Sequence, residues 1–182
     1  MSKVFVFMAD GTEEIEALTV VDLLRRAGID VETVSISDEP YITGSHNIKV
    51  GVDKGINSVS IDEACMLVLP GGMPGTNKLM DCEKLSGWLY EFAEKGKYLA
   101  AICAAPSILG VKGLLAGKKA TCYPGFEDKL LSAHYECKPV VTDGNIITSR
   151  GLGTAIEFSA AIITCILGEE AADSILEKII YK

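Results

Sequence analysis

Cys103 stands where the apolar run YLAAIC gives way to the small-residue stretch AAPSILG. Ala101 and Ala105 flank it in a small-x-Cys-x-small pattern, the cysteine counterpart of the elbow that presents a serine nucleophile on a sharp strand-to-helix turn. A helix opening near Ala104 would aim free N–H groups and a positive dipole end at the sulfur, which lowers a thiol pKa. The competing reading is a structural thiol, because cysteine is among the residues most often buried.

A second group comes from GTEEIEALT, where a helix beginning near Thr12 places Glu13, Glu14 and Glu16 in or near its first turn. Compensation of the helix dipole accounts for Glu13 and Glu14. Glu16 leads into the apolar ALTVVDLL, and a carboxyl in apolar surroundings has a raised pKa, so that it can donate a hydrogen bond to a thiolate. The third piece, LPGGMPG, has glycines that let backbone N–H groups approach a ligand as an oxyanion site requires; a plain strand-ending turn is the alternative. His46 and His134 are the two histidines, and the six cysteines (65, 82, 103, 122, 137 and 165) form no CxxC pair. No metal site is expected from that spacing. Cys122, in TCYP near the expected pocket, is the candidate for a resolving thiol.

The elements that must position these groups alternate. KVFVFMA reads as a strand, and GTEEIEALTVVDLLRRAG as a helix ending at a glycine. DVETVSIS is a second strand, and YITGSHNIKVGVD a hairpin turning around Gly44. The strand CMLVLPGG is followed by one helix over 77–96, and YLAAIC by a helix over 105–117. A loop or short helix (125–133), a strand pair in PVVTDGNIITS and two C-terminal helices complete the chain. This order predicts an α/β fold, a flavodoxin-like three-layer sandwich with a mostly parallel sheet and helices on both faces. Sites in such folds lie at the carboxyl ends of the strands, where FMADGTEE, LPGGMPG and ICAAP all end.

With 182 residues, 48% of them apolar, the chain suits one domain spanning 1–182. A net charge of -8 argues against a broad nucleic-acid surface. No apolar run reaches the length of a membrane span, and MSKVFVFMADGTEE lacks the form of a signal peptide, so a cytoplasmic protein is expected.

ADGTEEIEA, VLPGGMPG, AAICAAPSIL and ITSRGLGTAIEF, in this order and spacing, resemble the ThiJ/PfpI superfamily, and within it the DJ branch of parkinsonism-associated, deglycase-like proteins. The resemblance implies that Cys103 is the reactive cysteine, that Glu16 is the acid donating to its sulfur, and that the Gly72 and Ala104 amides face an oxyanion. It also implies a place for Arg26, in LLRRAGI, near an anion site and dimer interface, and a homodimer. Histidine follows the nucleophile in the peptidase branch, whereas Ala104 stands here; a cysteine peptidase or amidase is thereby disfavoured. Tyr123 replaces a pocket histidine of the human-type sequence, and His46 replaces an arginine, so both are possible pocket residues.

The resemblance thus implies a cytoplasmic, cysteine-dependent protein of oxidative and carbonyl stress. Glyoxalase- or deglycase-type (hydrolase) chemistry on methylglyoxal or glycated adducts is expected, with no metal or organic cofactor. The alternative is a non-enzymatic redox sensor or chaperone that works through oxidation of Cys103.

Overall fold

Strand β1 (Lys3–Met8) sends alternate side chains to opposite sides of a sheet, and each set meets its own helical layer. Val4, Val6 and Met8 pack with Val20, Leu24, Phe158 and Ile162. Phe5 and Phe7 pack with Leu79, Leu85, Leu89 and Phe92. The computed structural model from which this architecture is taken describes residues 3–181.

After β1 come α1 (Glu14–Arg26), β2 (Asp30–Ser35), the hairpin β3 (Tyr41–Thr43) and β4 (Lys49–Gly51), and β5 (Lys54–Gly55). Then follow β6 (Ala64–Leu69), α2 (Gly75–Asp81), α3 (Glu83–Glu94), β7 (Tyr98–Ile102) and α4 (Pro106–Val111). The remainder comprises β8 (Lys119–Ala120), β9 (His134–Tyr135), β10 (Val140–Asp143), β11 (Ile146–Ser149), α5 (Ala155–Leu167) and α6 (Glu169–Lys178).

The main sheet runs β10-β11-β7-β6-β1-β2-β5. All its pairings are parallel except β10 with β11. The order of β2, β1, β6, β7 and β11 is that of a flavodoxin-like sheet, as the strand-helix alternation predicts. Strands β1, β6, β7 and β11 therefore deliver their carboxyl ends to one edge.

Two helices differ from expectation. The single helix expected over 77–96 is broken at Cys82, whose backbone is extended (ψ 103°). Leu79 and Leu85 are both fully buried, yet six residues apart on a continuous helix they would point about 120° away from each other. The break brings both into one layer, and the freed Cys82 carbonyl accepts the Ser86 N–H and hydroxyl, each at 2.9 Å. The helix expected over 105–117 ends instead at Val111. Gly113 takes a left-handed turn (φ 76°), and the Leu114 N–H closes onto the Leu109 carbonyl at 2.9 Å. No helix among the described residues is long and apolar enough to cross a membrane.

Candidate active site

Cys103 follows the last residue of β7 with φ at +65°, a region that side-chain-bearing residues seldom enter. Its N–H donates to the Ser149 carbonyl (2.9 Å), and its carbonyl accepts the Tyr123 N–H (2.8 Å). These two bonds hold the residue from both sides. The elbow expected from the small neighbours is formed, and α4 begins three residues later, at Pro106.

Glu16 reaches the same point from α1. Glu13 caps this helix, its Oε2 accepting the Glu16 N–H at 2.7 Å, so the turn that carries Glu16 is fixed at its start. The Glu16 side chain is buried, and its Oε2 accepts the Gly71 N–H at 2.8 Å. The Leu152 N–H and the Cys103 thiol also bear on this carboxyl. Glu16 Oε1 is buried without a partner of hydrogen-bonding geometry.

Burial raises Glu16 from 4.5 to about 7, against the pull of its donors. On the partner side, burial first, and then the charge and hydrogen bonding of the Glu16 carboxylate, push the Cys103 thiol up to about 12. The Ala104 and Gly72 N–H groups oppose this rise. The depressed thiol expected from a helix dipole is thus not what the site gives when Glu16 is charged. The two groups are coupled, and moving one proton from sulfur to Glu16 removes the repulsion while leaving both amides on the sulfur.

Cys103, Glu16, Gly72 and Ala104 are therefore brought together, and Tyr123 stands beside them. Arg26 is not. It lies at the far end of α1, about 15 Å along the helix from Glu16, and bonds Asp22 at 2.7 Å. His46 also stays away from the sulfur: its N–H donates to Glu14 Oε1 (2.8 Å), and its Nδ1 lies 3.2 Å from Glu14 Oε2. Glu13, Glu14 and His46 do bring ligand-type atoms within 4.8 Å of one another, a grouping that the scattered sequence positions concealed. Both Glu14 oxygens already accept from loop donors. Cys122 is unsuited to resolve an oxidised Cys103. It is fully buried in the core layer of Phe5 and Phe7, whereas Cys103 packs against the opposite layer.

Several site residues escaped the sequence reading. A Cβ on Gly71 would lie 2.7 Å from both Glu16 Oε2 and Cys103 Cβ, so only glycine lets acid and thiol meet. A Cβ on Gly151 would lie 3.2 Å from the Tyr123 ring and 3.9 Å from Cys103 Sγ. Arg150, Gly151, Leu152 and Thr154, with Tyr123 and Pro139, line a cavity of about 430 Å³ that adjoins the sulfur through Gly151. Their signal, the string RGLGT, was visible only as part of a resemblance.

A sharp cysteine elbow, a buried acid and a glycine pair thus meet at the carboxyl edge of a flavodoxin-like sheet, and a model of the DJ-1/PfpI family matches residues 2–165. The chain belongs to the DJ-1/PfpI family. Protein DJ-1 homolog B of Arabidopsis thaliana is 40% identical over 93% of this chain, which spans only 39% of that relative's length. The glutathione-independent glyoxalase DJR-1.2 of Caenorhabditis elegans is 30% identical over 97% of this chain and 94% of its own. Among solved structures, oxidized Toxoplasma gondii DJ-1 superposes with a TM-score of 0.95 at 36% identity, covering 99% of this chain and 98% of its own.

Proposed function

We propose that the protein converts small reactive dicarbonyls, methylglyoxal first among them, into hydroxy acids without glutathione. The observation that carries the reading is the Cys103–Glu16 pair, with two amides on the sulfur and a titration near neutrality on the acid. Likeness to a relative named a glutathione-independent glyoxalase adds to it.

In the first step the Cys103 proton passes to Glu16, and the thiolate adds to the aldehyde carbon of methylglyoxal. The alkoxide that forms lies against the Gly72 and Ala104 N–H groups and takes the proton back from Glu16, giving a hemithioacetal. Glu16, again a carboxylate, removes the hydrogen on the former aldehyde carbon. The resulting enediolate takes this proton back from Glu16 on the neighbouring carbon, while the hydroxyl proton of the former aldehyde passes to the neighbouring oxygen, leaving a lactyl thioester. Water cleaves the thioester to lactate and restores the thiol. An acid that titrates near 7 is matched to both directions of proton transfer. Deglycation of early adducts would use the same nucleophile on a substrate already bound to an amine. A cytoplasmic homodimer, with the exposed Ile15 and Leu18 of α1 toward the partner, is part of this proposal; light scattering after gel filtration tests the dimer.

Methylglyoxal loss and lactate formation are to be followed for wild type, Cys103→Ser and Glu16→Gln. Turnover by wild type that disappears in Cys103→Ser supports the reading. Equal inactivity of wild type and Cys103→Ser overturns it.

A second reading, a redox sensor or chaperone, is favoured by the half-buried sulfur between two amides and by the oxidized state in which a similar protein was solved. Peroxide would oxidise Cys103 to a sulfenic and then a sulfinic acid. Mass spectrometry of the Cys103 peptide after peroxide treatment, alongside the turnover assay, separates the two readings.

A further inference from the structure

The cavity that adjoins Cys103 through Gly151 is walled by Tyr123, Pro139, Gly151, Leu152 and Thr154, and by one cation, Arg150. The guanidinium is held by a thiol: Nη1 donates to Cys137 Sγ at 2.7 Å. Among the described residues Arg150 makes no ion pair with a carboxylate. Glu127, whose charge reaches Cys122 together with that of Arg150, spends its carboxylate on the Gly125 N–H at 2.7 Å. This is unusual company for an arginine in a chain of net charge -8, in which acidic partners outnumber basic ones. A guanidinium has five donors in a fixed fork that matches carboxylate and phosphate oxygens, and one contact with a thiol leaves most of them free.

The position matters as much as the charge. Gly151, next in the chain, is the residue whose added Cβ would come within 3.9 Å of Cys103 Sγ. The loop that carries Arg150 therefore also runs beside the nucleophile. Tyr123, 50% exposed on the other side of the cavity, offers an aromatic face but no charge. Cys103 itself does not line this cavity, and Gly151 is the wall through which the cavity adjoins the sulfur.

We propose that Arg150 is a specificity residue, selecting for reaction at Cys103 those small electrophiles that carry an anionic carboxylate or phosphate group. For the dicarbonyl reaction this rests on the proposed function; for recognition at Cys103 it does not. The preferred substrate class is then a 2-oxoaldehyde with an anionic tail rather than methylglyoxal itself.

Two alkylating reagents of nearly equal size isolate the charge. Iodoacetate is anionic and iodoacetamide is neutral, and both form a thioether at sulfur with loss of iodide. The ratio of their rates at Cys103, read by mass spectrometry of its peptide and divided by the same ratio for a short cysteine peptide, is measured for wild type, Arg150→Gln and Arg150→Lys. Circular dichroism confirms that each variant is folded. The normalised ratio is expected to exceed one in wild type, to fall roughly fivefold or more in Arg150→Gln, and to be partly retained in Arg150→Lys. An equal ratio in all three proteins overturns the proposal, whatever the turnover of dicarbonyls. Protection of Cys103 from iodoacetamide by lactate compared with inorganic phosphate tells which anion the fork prefers. In parallel, 4,5-dioxopentanoate is compared with methylglyoxal as substrate. If the charge preference holds while neither compound is turned over, the glyoxalase reading fails and anion selection stands. If both are turned over with no charge preference at Cys103, the opposite conclusion follows.

Discussion

Gly71 donates its N–H to Glu16 Oε2 at 2.8 Å, and the hydrogen on its Cα occupies the space between that oxygen and the Cys103 side chain. A methyl group there would lie 2.7 Å from each, closer than packed atoms tolerate. Gly71→Ala is expected to force the acid and thiol apart. Turnover of methylglyoxal should fall by about two orders of magnitude, because general acid–base catalysis contributes on that scale. Stability should fall by about 1–3 kcal/mol from overpacking. Activity assays and urea unfolding check the two parts. An alanine variant with wild-type turnover would remove Gly71 from the site.

Glu16 couples the site to stability through pH. Its folded value is raised to about 7 from 4.5, so between these values the folded protein keeps a proton that the unfolded chain has released. The stabilisation is therefore complete below about 4.5 and is lost as pH rises through 7. Glu16→Gln has no such group to ionise. The stability of wild type relative to Glu16→Gln should decline from pH 4.5 to 7.5 by on the order of 3 kcal/mol at most. Parallel pH profiles in urea titrations would show that Glu16 does not titrate in this window. The kcat/KM profile for methylglyoxal should bend near pH 7 in wild type, as a property of the Cys103–Glu16 pair.

Glu14, two residues earlier, has the opposite sign. Burial alone would raise it, but the N–H groups of His46 and Ile48 and the His46 ring outweigh that and hold it at about 2. The stability it supplies is present above about 4.5 and lost as pH falls toward 2. Glu14→Gln is expected to cost about 2 kcal/mol at pH 7 by weakening the bonds that hold the β3–β4 turn. The gap to wild type should close in acid. Thermal unfolding at pH 7 and pH 3 measures both.

The sequence announces most of this architecture because buried parallel strands are continuous apolar runs, as in VFVFM, MLVL and LAAI, and the intervening helices carry periodic apolar faces. The Cys103 elbow and Glu16 were legible for a related reason: a polar residue amid apolar ones is conspicuous. Gly71 was less so, since its role depends on a clash that a side chain would make across 55 residues of sequence. Arg150 faced a similar obstacle, because no local pattern reveals that a cation has no acidic partner among the described residues. The thiol is raised rather than lowered when Glu16 is charged because a dipole argument from one helix leaves out the burial of the sulfur and, after it, the carboxylate arriving from another helix. The break at Cys82 was hidden because Asp81-Cys82-Glu83 contains no glycine or proline to mark it.

Cys103 also lends itself to a test of the strain in its elbow. At φ +65° a residue with a Cβ bears a penalty of about 1–2 kcal/mol that glycine does not. Cys103→Ala removes the sulfur and keeps the penalty, whereas Cys103→Gly removes both. Glycine gives back part of the gain through the greater freedom of its unfolded chain, about 0.5–1 kcal/mol. Cys103→Gly should therefore exceed Cys103→Ala in unfolding free energy by about 0.5–1 kcal/mol, reversing the usual order of the two residues. Both should be inactive toward methylglyoxal. Equilibrium urea denaturation of the pair decides the matter, and an alanine variant more stable than glycine would mean that the elbow is held without strain.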